Sequence, residues 1–397
     1  MFIALALTAA AWSSSRAAPV VDFDLSDTAR WVLVDDEKGI GGRWVSTVLL
    51  GDGRTVVAVY LWNGVGRSDS GIRLRRSTDG GASWGEPIQG PRGWNGTEGG
   101  SVVGREPLSV HVASDVKGVE RLVIWAGGSG GSDTARFAVS EDGGITWADF
   151  KSAADGLPAS ERWAGDVAAM ESTAGEELAW YSGIDEAPSK GKPVPELGLF
   201  QVESGDGGLT WGHPARVLMY EPDVLGAFAT VHSEDRRTIA MLFSLNERSL
   251  RSHVAATLDG GKTWTKPEEL PHDLSGRSYQ AMYGPNHRLL IGFVELPEVR
   301  QAVRREEIIP SVWVGTFEDL QKGREGLYKV HLSMKGLVRD HPSPSMVMLA
   351  DGTILSTQFV RRDRGQDSAI VCVRFTLAEL DAAAGIKGEE PPAEGVK

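Results

Sequence analysis

Arginine side chains recur at equivalent places in this sequence, immediately before runs in which apolar and polar residues alternate. Four arginines occupy such positions, namely Arg43, Arg105, Arg277 and Arg339. Glu106 follows the second directly, Tyr279 lies two residues after the third, and His341 lies two residues after the fourth. A guanidinium group binds a carboxylate through two parallel hydrogen bonds, so arginines that converge in space predict a pocket for an anion.

The alternating runs that carry these arginines form six similar units. Each unit is a strand-like run, a polar turn and a strongly apolar run. The six are RWVSTVLLGDGRTVVAVY, EPLSVHVASDVKGVERLVIWAG, GDVAAMESTAGEELAWYSG, AFATVHSEDRRTIAMLFS, SYQAMYGPNHRLLIGFVE and PSPSMVMLADGTILSTQF. Period-two alternation on both sides of a turn predicts a β-hairpin.

A second motif follows four of the hairpins. It occurs as STDGGASW, SEDGGITW, SGDGGLTW and TLDGGKTW, with its aspartates at Asp79, Asp142, Asp206 and Asp259. An aspartate can close a tight turn with its carboxylate while the glycines adopt backbone angles closed to other residues. These aspartates are therefore predicted to be structural and not calcium ligands.

The spacing of the motif suits one four-stranded propeller blade per unit. Long helical patterns are absent, although TFEDLQKG and TLAELDAAAG are compatible with short helices. The sequence therefore predicts an all-β fold, a six-bladed β-propeller over residues 25–380. The first strands of propeller blades line a central channel, so the arginines should meet at one mouth of it.

Four Ser/Thr-x-Asp-x-Gly-x-Ser/Thr-Trp-like turns on six blades resemble the Asp boxes of the sialidase (neuraminidase) superfamily. The resemblance covers nearly the whole chain and implies an exo-acting glycoside hydrolase that removes a terminal acidic sugar from a glycan. It implies that Arg43, Arg105 and Arg277 hold the sugar carboxylate, with Arg339 and His341 at the same mouth.

The same resemblance implies the catalytic groups. Tyr279, in YQAMYGPNHRLLIGFVE, takes the place of the nucleophile, and Glu221 or Glu106 would accept its proton. Asp69, in GRSDSGIRLRRSTDGG, would be the acid and base, an ordinary turn aspartate being the alternative. A tyrosine suits this task because a neutral phenol avoids the repulsion between a carboxylate and the anionic sugar.

Two further functions stay open. Ala227 occupies the register at which the resemblance implies a glutamate, and Ser244 that of an arginine, which favours a non-catalytic propeller that binds a glycan or a protein. A tyrosine with a basic residue could also cleave a uronate polysaccharide by elimination. No residue spacing implies a metal or an organic cofactor.

Composition and the chain ends narrow the setting. A formal net charge of −13 argues against nucleic acid as a partner. The single cysteine, Cys372, is predicted to be a buried strand thiol. Residues 1–18 combine a short apolar run with an Ala-rich cleavage-like site, although no basic residue precedes the run, and they predict a secretory signal and a periplasmic or secreted protein. No later segment is apolar enough to span a membrane, and residues 385–397 are expected to be a disordered tail.

Overall fold

The computed structural model of the protein describes residues 18–37, 40–62, 71–92, 108–126, 136–153, 167–173, 176–184, 197–219, 225–245, 252–295, 309–333, 345–360 and 368–386. These residues form six sheets arranged as the blades of a β-propeller, which confirms the predicted fold class. The inner strand of each blade contacts the inner strand of the next, so the six inner strands surround a central channel.

The first three blades each contain four strands, numbered here from the innermost strand outwards. The strands are β3 (Ile40–Leu49), β4 (Val56–Trp62), β5 (Gly71–Ser77) and β6 (Ile88–Gln89) in blade one; β7 (Leu108–Ser114), β8 (Glu120–Ala126), β9 (Arg136–Ser140) and β10 (Lys151–Ser152) in blade two; and β11 (Val167–Thr173), β12 (Glu176–Ile184), β13 (Leu197–Ser204) and β14 (Ala215–Met219) in blade three.

The last three blades follow the same order, but two of them also take a strand from the N-terminal segment. The strands are β15 (Leu225–His232), β16 (Ile239–Leu245), β17 (Ser252–Thr257) and β18 (Glu268–Glu269) in blade four; β19 (Gly276–Tyr283), β20 (Leu289–Glu295), β21 (Ile309–Gly315), β22 (Tyr328–Ser333) and β1 (Val20–Asp24) in blade five; and β23 (Ser345–Met348), β24 (Thr353–Val360), β25 (Ala369–Thr376) and β2 (Trp31–Asp35) in blade six.

The N-terminal segment closes the ring of blades. Strand β2 pairs antiparallel with β25 as the outermost strand of blade six, and β1 pairs parallel with β22 as a fifth strand of blade five. Residues from opposite ends of the chain therefore share two sheets. Cys372 is fully buried in β25, as predicted for a strand thiol.

Successive strands within a blade are antiparallel, so the first and third strands run in the same direction. We call the end of the channel at which the inner strands begin the channel mouth. The opposite end, at which the third strands finish, is called the turn end.

The four Asp-Gly-Gly turns lie at the turn end, and their carboxylates are occupied by their own turns. Asp79 accepts hydrogen bonds from the backbone nitrogen and hydroxyl of Ser83, at 2.9 and 2.5 Å, and from the hydroxyl of Ser77 at 2.8 Å. Gly80 and Gly81 have φ angles of 70° and 75°, which residues with a Cβ rarely adopt. The hydrogen bonds from Ser83 lower the pKa of Asp79 to about 2.

Blades five and six have short helices in place of these turns. Helices α1 (Phe317–Gln321) and α2 (Leu377–Ala383) begin after Thr316 and Thr376, and each threonine forms a reciprocal capping box with the acidic residue three positions later. Both helices fall in the two segments for which the sequence allowed them. Neither they nor any other helix in the described ranges is long and apolar enough to cross a bilayer.

Each Asp-Gly-Gly turn is also bound by the preceding blade. Side chains of that blade donate hydrogen bonds to a carbonyl oxygen of the turn: Arg374 to Gly80, Arg76 to Gly143, Arg121 to Asp206 and Gln201 to Gly260, at 2.7, 3.2, 3.4 and 3.2 Å. The tryptophan that ends each motif packs into the core shared by the two blades; Trp211, for example, lies 4.9 Å from Trp125 between ring centroids. The turns therefore join neighbouring blades.

Candidate functional site

Four of the six inner strands are irregular near the channel mouth. The pairing register with the second strand shifts between Ile40 and Val45 in β3, between Val167 and Ala169 in β11, between Leu225 and Phe228 in β15, and between Arg277 and Gln280 in β19. Such bulges redirect side chains and are common beside active sites. The mouth is therefore the candidate functional site.

Most side chains that the sequence placed at this site lie outside the residues that the structure describes. These are Asp69, Glu106, Glu221, Arg105, Arg339 and His341. The backbone of Arg43 lies within the irregular part of β3, but its side chain is also outside the description. Ala227 likewise falls within the bulge of β15. Arg277 and Tyr279 are described completely and define the part of the site that can be analysed.

Arg277 is a partly buried cation at the start of β19, the inner strand of blade five. It forms no hydrogen bond or ion pair with any residue in the described part of the chain, whereas most other partly buried arginines there bind a carboxylate or a carbonyl group. The next residue, Ser278, has a φ of 57°. That conformation costs about 1–2 kcal/mol for a residue with a Cβ. The strain lies directly beside an unpaired guanidinium group.

Tyr279 lies in the core between blades four and five, with 7% of its surface exposed. Its hydroxyl donates a hydrogen bond to the carbonyl oxygen of Leu274 at 3.1 Å and accepts one from the backbone nitrogen of Gly276 at 2.9 Å. Its ring stacks on Phe293, with centroids 6.0 Å apart. Burial raises the pKa of the phenol above its usual value. The hydroxyl therefore fixes the segment that leads into Arg277, and it would have to leave two partners to react with a substrate.

Gly276 makes this segment compact. A Cβ at this position would lie 2.3 Å from the carbonyl oxygen of Val294, which no side chain can tolerate. The hydroxyl of Ser252 on β17 donates to the carbonyl oxygen of Gly276 at 2.9 Å and lies 3.1 Å from its nitrogen. Three polar contacts thus hold the residue immediately before Arg277, and the arginine projects from a rigid backbone.

Glu295, at the end of β20, is bound by basic side chains of the same blade. Its two oxygens lie 2.9 Å from Nζ of Lys329 and 3.1 Å from Nε2 of His331. Burial alone would raise the pKa of Glu295, but hydrogen bonds from His331 and Lys329 outweigh burial and lower it to about 2. Glu295 is thus a fixed anion and unsuited to protonate a leaving group near neutral pH.

A second polar group on the inner strands lies further from the mouth and was missed by the sequence analysis. Glu171 on β11 accepts a hydrogen bond from Thr230 at 2.6 Å, and its other oxygen lies 2.9 Å from Nε2 of His232 on β15. His111 on β7 has a pKa lowered to about 4 by burial, which the charge of Glu171 opposes. Charged residues within runs such as VAAMEST and ATVH were the available indication, but only the starts of the runs had been considered.

The described residues contain no group of three or more histidine, cysteine and acidic side chains placed to hold a metal ion. What the mouth offers chemically, within the described ranges, is an unpaired cation on a rigid support. This arrangement can bind an anionic group of a ligand with little reorganisation.

No family model and no curated protein matches this sequence. Solved structures match over most of the chain. A protein of unknown function from Dyadobacter fermentans is 16% identical with a TM-score of 0.61, covering 87% of this chain and 97% of its own. An α-L-arabinofuranosidase from Fusarium graminearum is 11% identical with a TM-score of 0.59, covering 88% and 98%. An intramolecular trans-sialidase from Ruminococcus gnavus is 14% identical with a TM-score of 0.57, covering 89% and 99%. At these identities the likeness concerns the fold.

Proposed function

We propose that the protein is an exported glycoside hydrolase that removes a terminal acidic sugar, sialic acid or a similar one, from glycans. The observation that carries this proposal is Arg277, a partly buried guanidinium without a partner among the described residues, at the mouth of a six-bladed propeller. A carboxylate on the ligand would supply the missing partner through two charged hydrogen bonds.

The similar structures support a carbohydrate substrate but differ in the sugar that their names imply. One is a sialidase-type enzyme, whose sugar carries a carboxylate, and another is an arabinofuranosidase, whose sugar is neutral. A neutral pentose offers no anion to Arg277. The unpaired cation therefore favours the acidic sugar.

The roles of the other residues are part of the proposal. Arg43 and Arg105 would join Arg277 around the carboxylate, with Arg339 and His341 beside them. Asp69 would protonate the leaving oxygen and then activate water, and Glu106 or Glu221 would be the second carboxylate. The hydrogen bonds of Tyr279 favour a positioning role for its hydroxyl over the attacking role that the resemblance implies.

The test uses fluorogenic glycosides of N-acetylneuraminic acid, glucuronic acid and L-arabinofuranose with the wild-type protein and Arg277→Ala. We expect release from a carboxylated glycoside and a rise in KM of about 10–100-fold in the variant, because a charged hydrogen bond contributes about 1.5–3 kcal/mol. Arg237→Ala is the matched control, since that arginine is 84% exposed at the turn end and its loss should leave KM unchanged. Release from the arabinofuranoside alone would exclude an acidic sugar.

A non-catalytic propeller that binds an acidic glycan is the second candidate. It is favoured by Tyr279, whose hydroxyl is occupied by backbone groups, and by Glu295, which is held as an ion. This candidate predicts no release from any of the three glycosides, together with binding to sialylated or uronate glycans that Arg277→Ala weakens and Arg237→Ala does not.

A further inference from the structure

Glu325 is a partly buried carboxylate that lacks a cation. Its Oε2 accepts a hydrogen bond of 2.7 Å from the backbone nitrogen of Ala18, and it forms no ion pair with any described residue. The neighbouring cations Arg324 and Lys329 are paired with other carboxylates. The pKa of Asp273 is raised, first by burial and further by the negative charge of Glu325, so a second carboxyl group lies close by. A positive charge at the nitrogen of Ala18 would complete this site.

The chain is part of the fold from Ala18 onwards. The carbonyl oxygen of Pro19 accepts a hydrogen bond of 2.9 Å from the nitrogen of Lys329, β1 begins at the next residue, and Leu25 is fully buried. Any cut that leaves the propeller intact must therefore fall before or very near Ala18.

The sequence before Ala18 contains one bond with the residues that export peptidases select. Small side chains are needed at the last and third-last positions of the leader. Ala17 and Ser15 provide them for a cut after residue 17, whereas a cut after residue 18 would put Arg16 at the third-last position and Pro19 at the new terminus.

We infer that the chain is cut between Ala17 and Ala18 during export and that Glu325 binds the new α-ammonium group. This inference does not depend on the proposed function. In the cut, the oxygen of a water molecule bonds to the carbonyl carbon of Ala17 while the C–N bond to Ala18 breaks. The released nitrogen takes up protons to become an ammonium group. The neutral hydrogen bond to Glu325 then becomes a charged one, and β1 gains an ionic anchor on blade five.

The first test is the N-terminus of the exported protein. The full chain is expressed in a secreting bacterial host, and the protein recovered outside the cytoplasm is analysed by intact mass and N-terminal sequencing. We expect Ala18 as the first residue. Retention of Met1, or a different first residue, would overturn the inference.

The second test compares Glu325→Gln in two forms of the protein, one beginning at Ala18 and one retaining residues 1–17. In the form that begins at Ala18 we expect the substitution to lower the folding equilibrium constant about tenfold at pH 6, since charged hydrogen bonds exceed neutral ones. An ammonium paired with a carboxylate has a pKa above its ordinary value of about 7.7–8.0. Its contribution is therefore complete below that value and disappears as the pH rises through the raised pKa.

The form that retains residues 1–17 is the control. Its nitrogen at Ala18 is an amide, so Glu325→Gln should have a smaller effect that is equal at pH 6 and pH 10. Urea denaturation followed by tryptophan fluorescence measures both. Equal losses in the two forms at both pH values would refute the ionic anchor.

Discussion

Replacing Tyr279 by phenylalanine removes a single oxygen atom and separates two roles for this side chain. If the hydroxyl positions the backbone before Arg277, its loss should reduce stability more than catalysis. If the hydroxyl attacks the sugar, its loss should abolish catalysis. The ring remains in place in either case, so its stacking on Phe293 is retained.

The magnitude follows from the hydrogen bonds. The backbone nitrogen of Gly276 keeps a second partner in the hydroxyl of Ser252 at 3.1 Å. The carbonyl oxygen of Leu274 loses the hydroxyl of Tyr279, which is its hydrogen-bond donor at 3.1 Å. One buried acceptor left without a partner costs about 1–2 kcal/mol, so the free energy of unfolding should fall by that amount.

The assay pairs urea denaturation with turnover of whichever carboxylated glycoside the wild type hydrolyses. We expect kcat of Tyr279→Phe to stay within a few-fold of wild type. Tyr283→Phe is the matched control, because Tyr283 lies on the same strand and donates to the carbonyl oxygen of His232 away from the mouth. A fall in kcat of about 10³-fold or more with unchanged stability would refute the positioning role and restore Tyr279 as the nucleophile.

Three further substitutions test the surroundings of the site and the turns. Glu295→Gln should destabilise the protein by about 2–3 kcal/mol near neutral pH, because it leaves the buried ammonium of Lys329 unpaired; since the pKa of Glu295 is lowered to about 2, urea denaturation should show the difference shrinking as the pH falls from 5 towards 2. Asp79→Ala should lower the melting temperature at pH 7, with the difference lost as the pH falls through about 2, where the carboxyl group becomes protonated. Gly276→Ala should destabilise the protein by about 2–3 kcal/mol in thermal unfolding, since its Cβ would meet the carbonyl oxygen of Val294; a neutral effect would show that this segment can move.

The inner hairpins could be predicted from the sequence because their determinants are local. In RWVSTVLLGDGRTVVAVY the alternation defines β3 and β4, and the turn between them closes as expected. Asp52 accepts hydrogen bonds from the backbone nitrogens of Arg54 and Thr55, and Gly53 has a φ of 69°. Propensity, turn chemistry and burial all favour the same hairpin.

The ring closure could not be predicted in the same way. Strands β1 and β2 pair with β22 and β25, more than 300 residues away along the chain. The register of such a pair depends on which edges the other strands leave open, and no local pattern contains that information. The segment 20–35 was accordingly left out of the predicted units.

The position of Tyr279 shows why spacing alone could not define the site. In a regular strand Arg277 and Tyr279 would lie on one face, since side chains alternate with a period of two. The bulge between Arg277 and Gln280, with Ser278 at a φ of 57°, breaks this alternation. The arginine is therefore left without a partner at the mouth while the tyrosine enters the core between two blades. An extra residue exchanges the faces of a strand, and a sequence pattern does not show it.

The two ends of the propeller are built for different tasks. At the turn end, Asp-Gly-Gly turns occupy their own carboxylates, accept hydrogen bonds from the preceding blade and insert a tryptophan between blades. Because these contacts already join the blades, the inner strands can depart from regular pairing at the mouth without loosening the ring. The strain at Ser278 is tolerated for this reason, and it places the cation of Arg277 where a ligand can reach it.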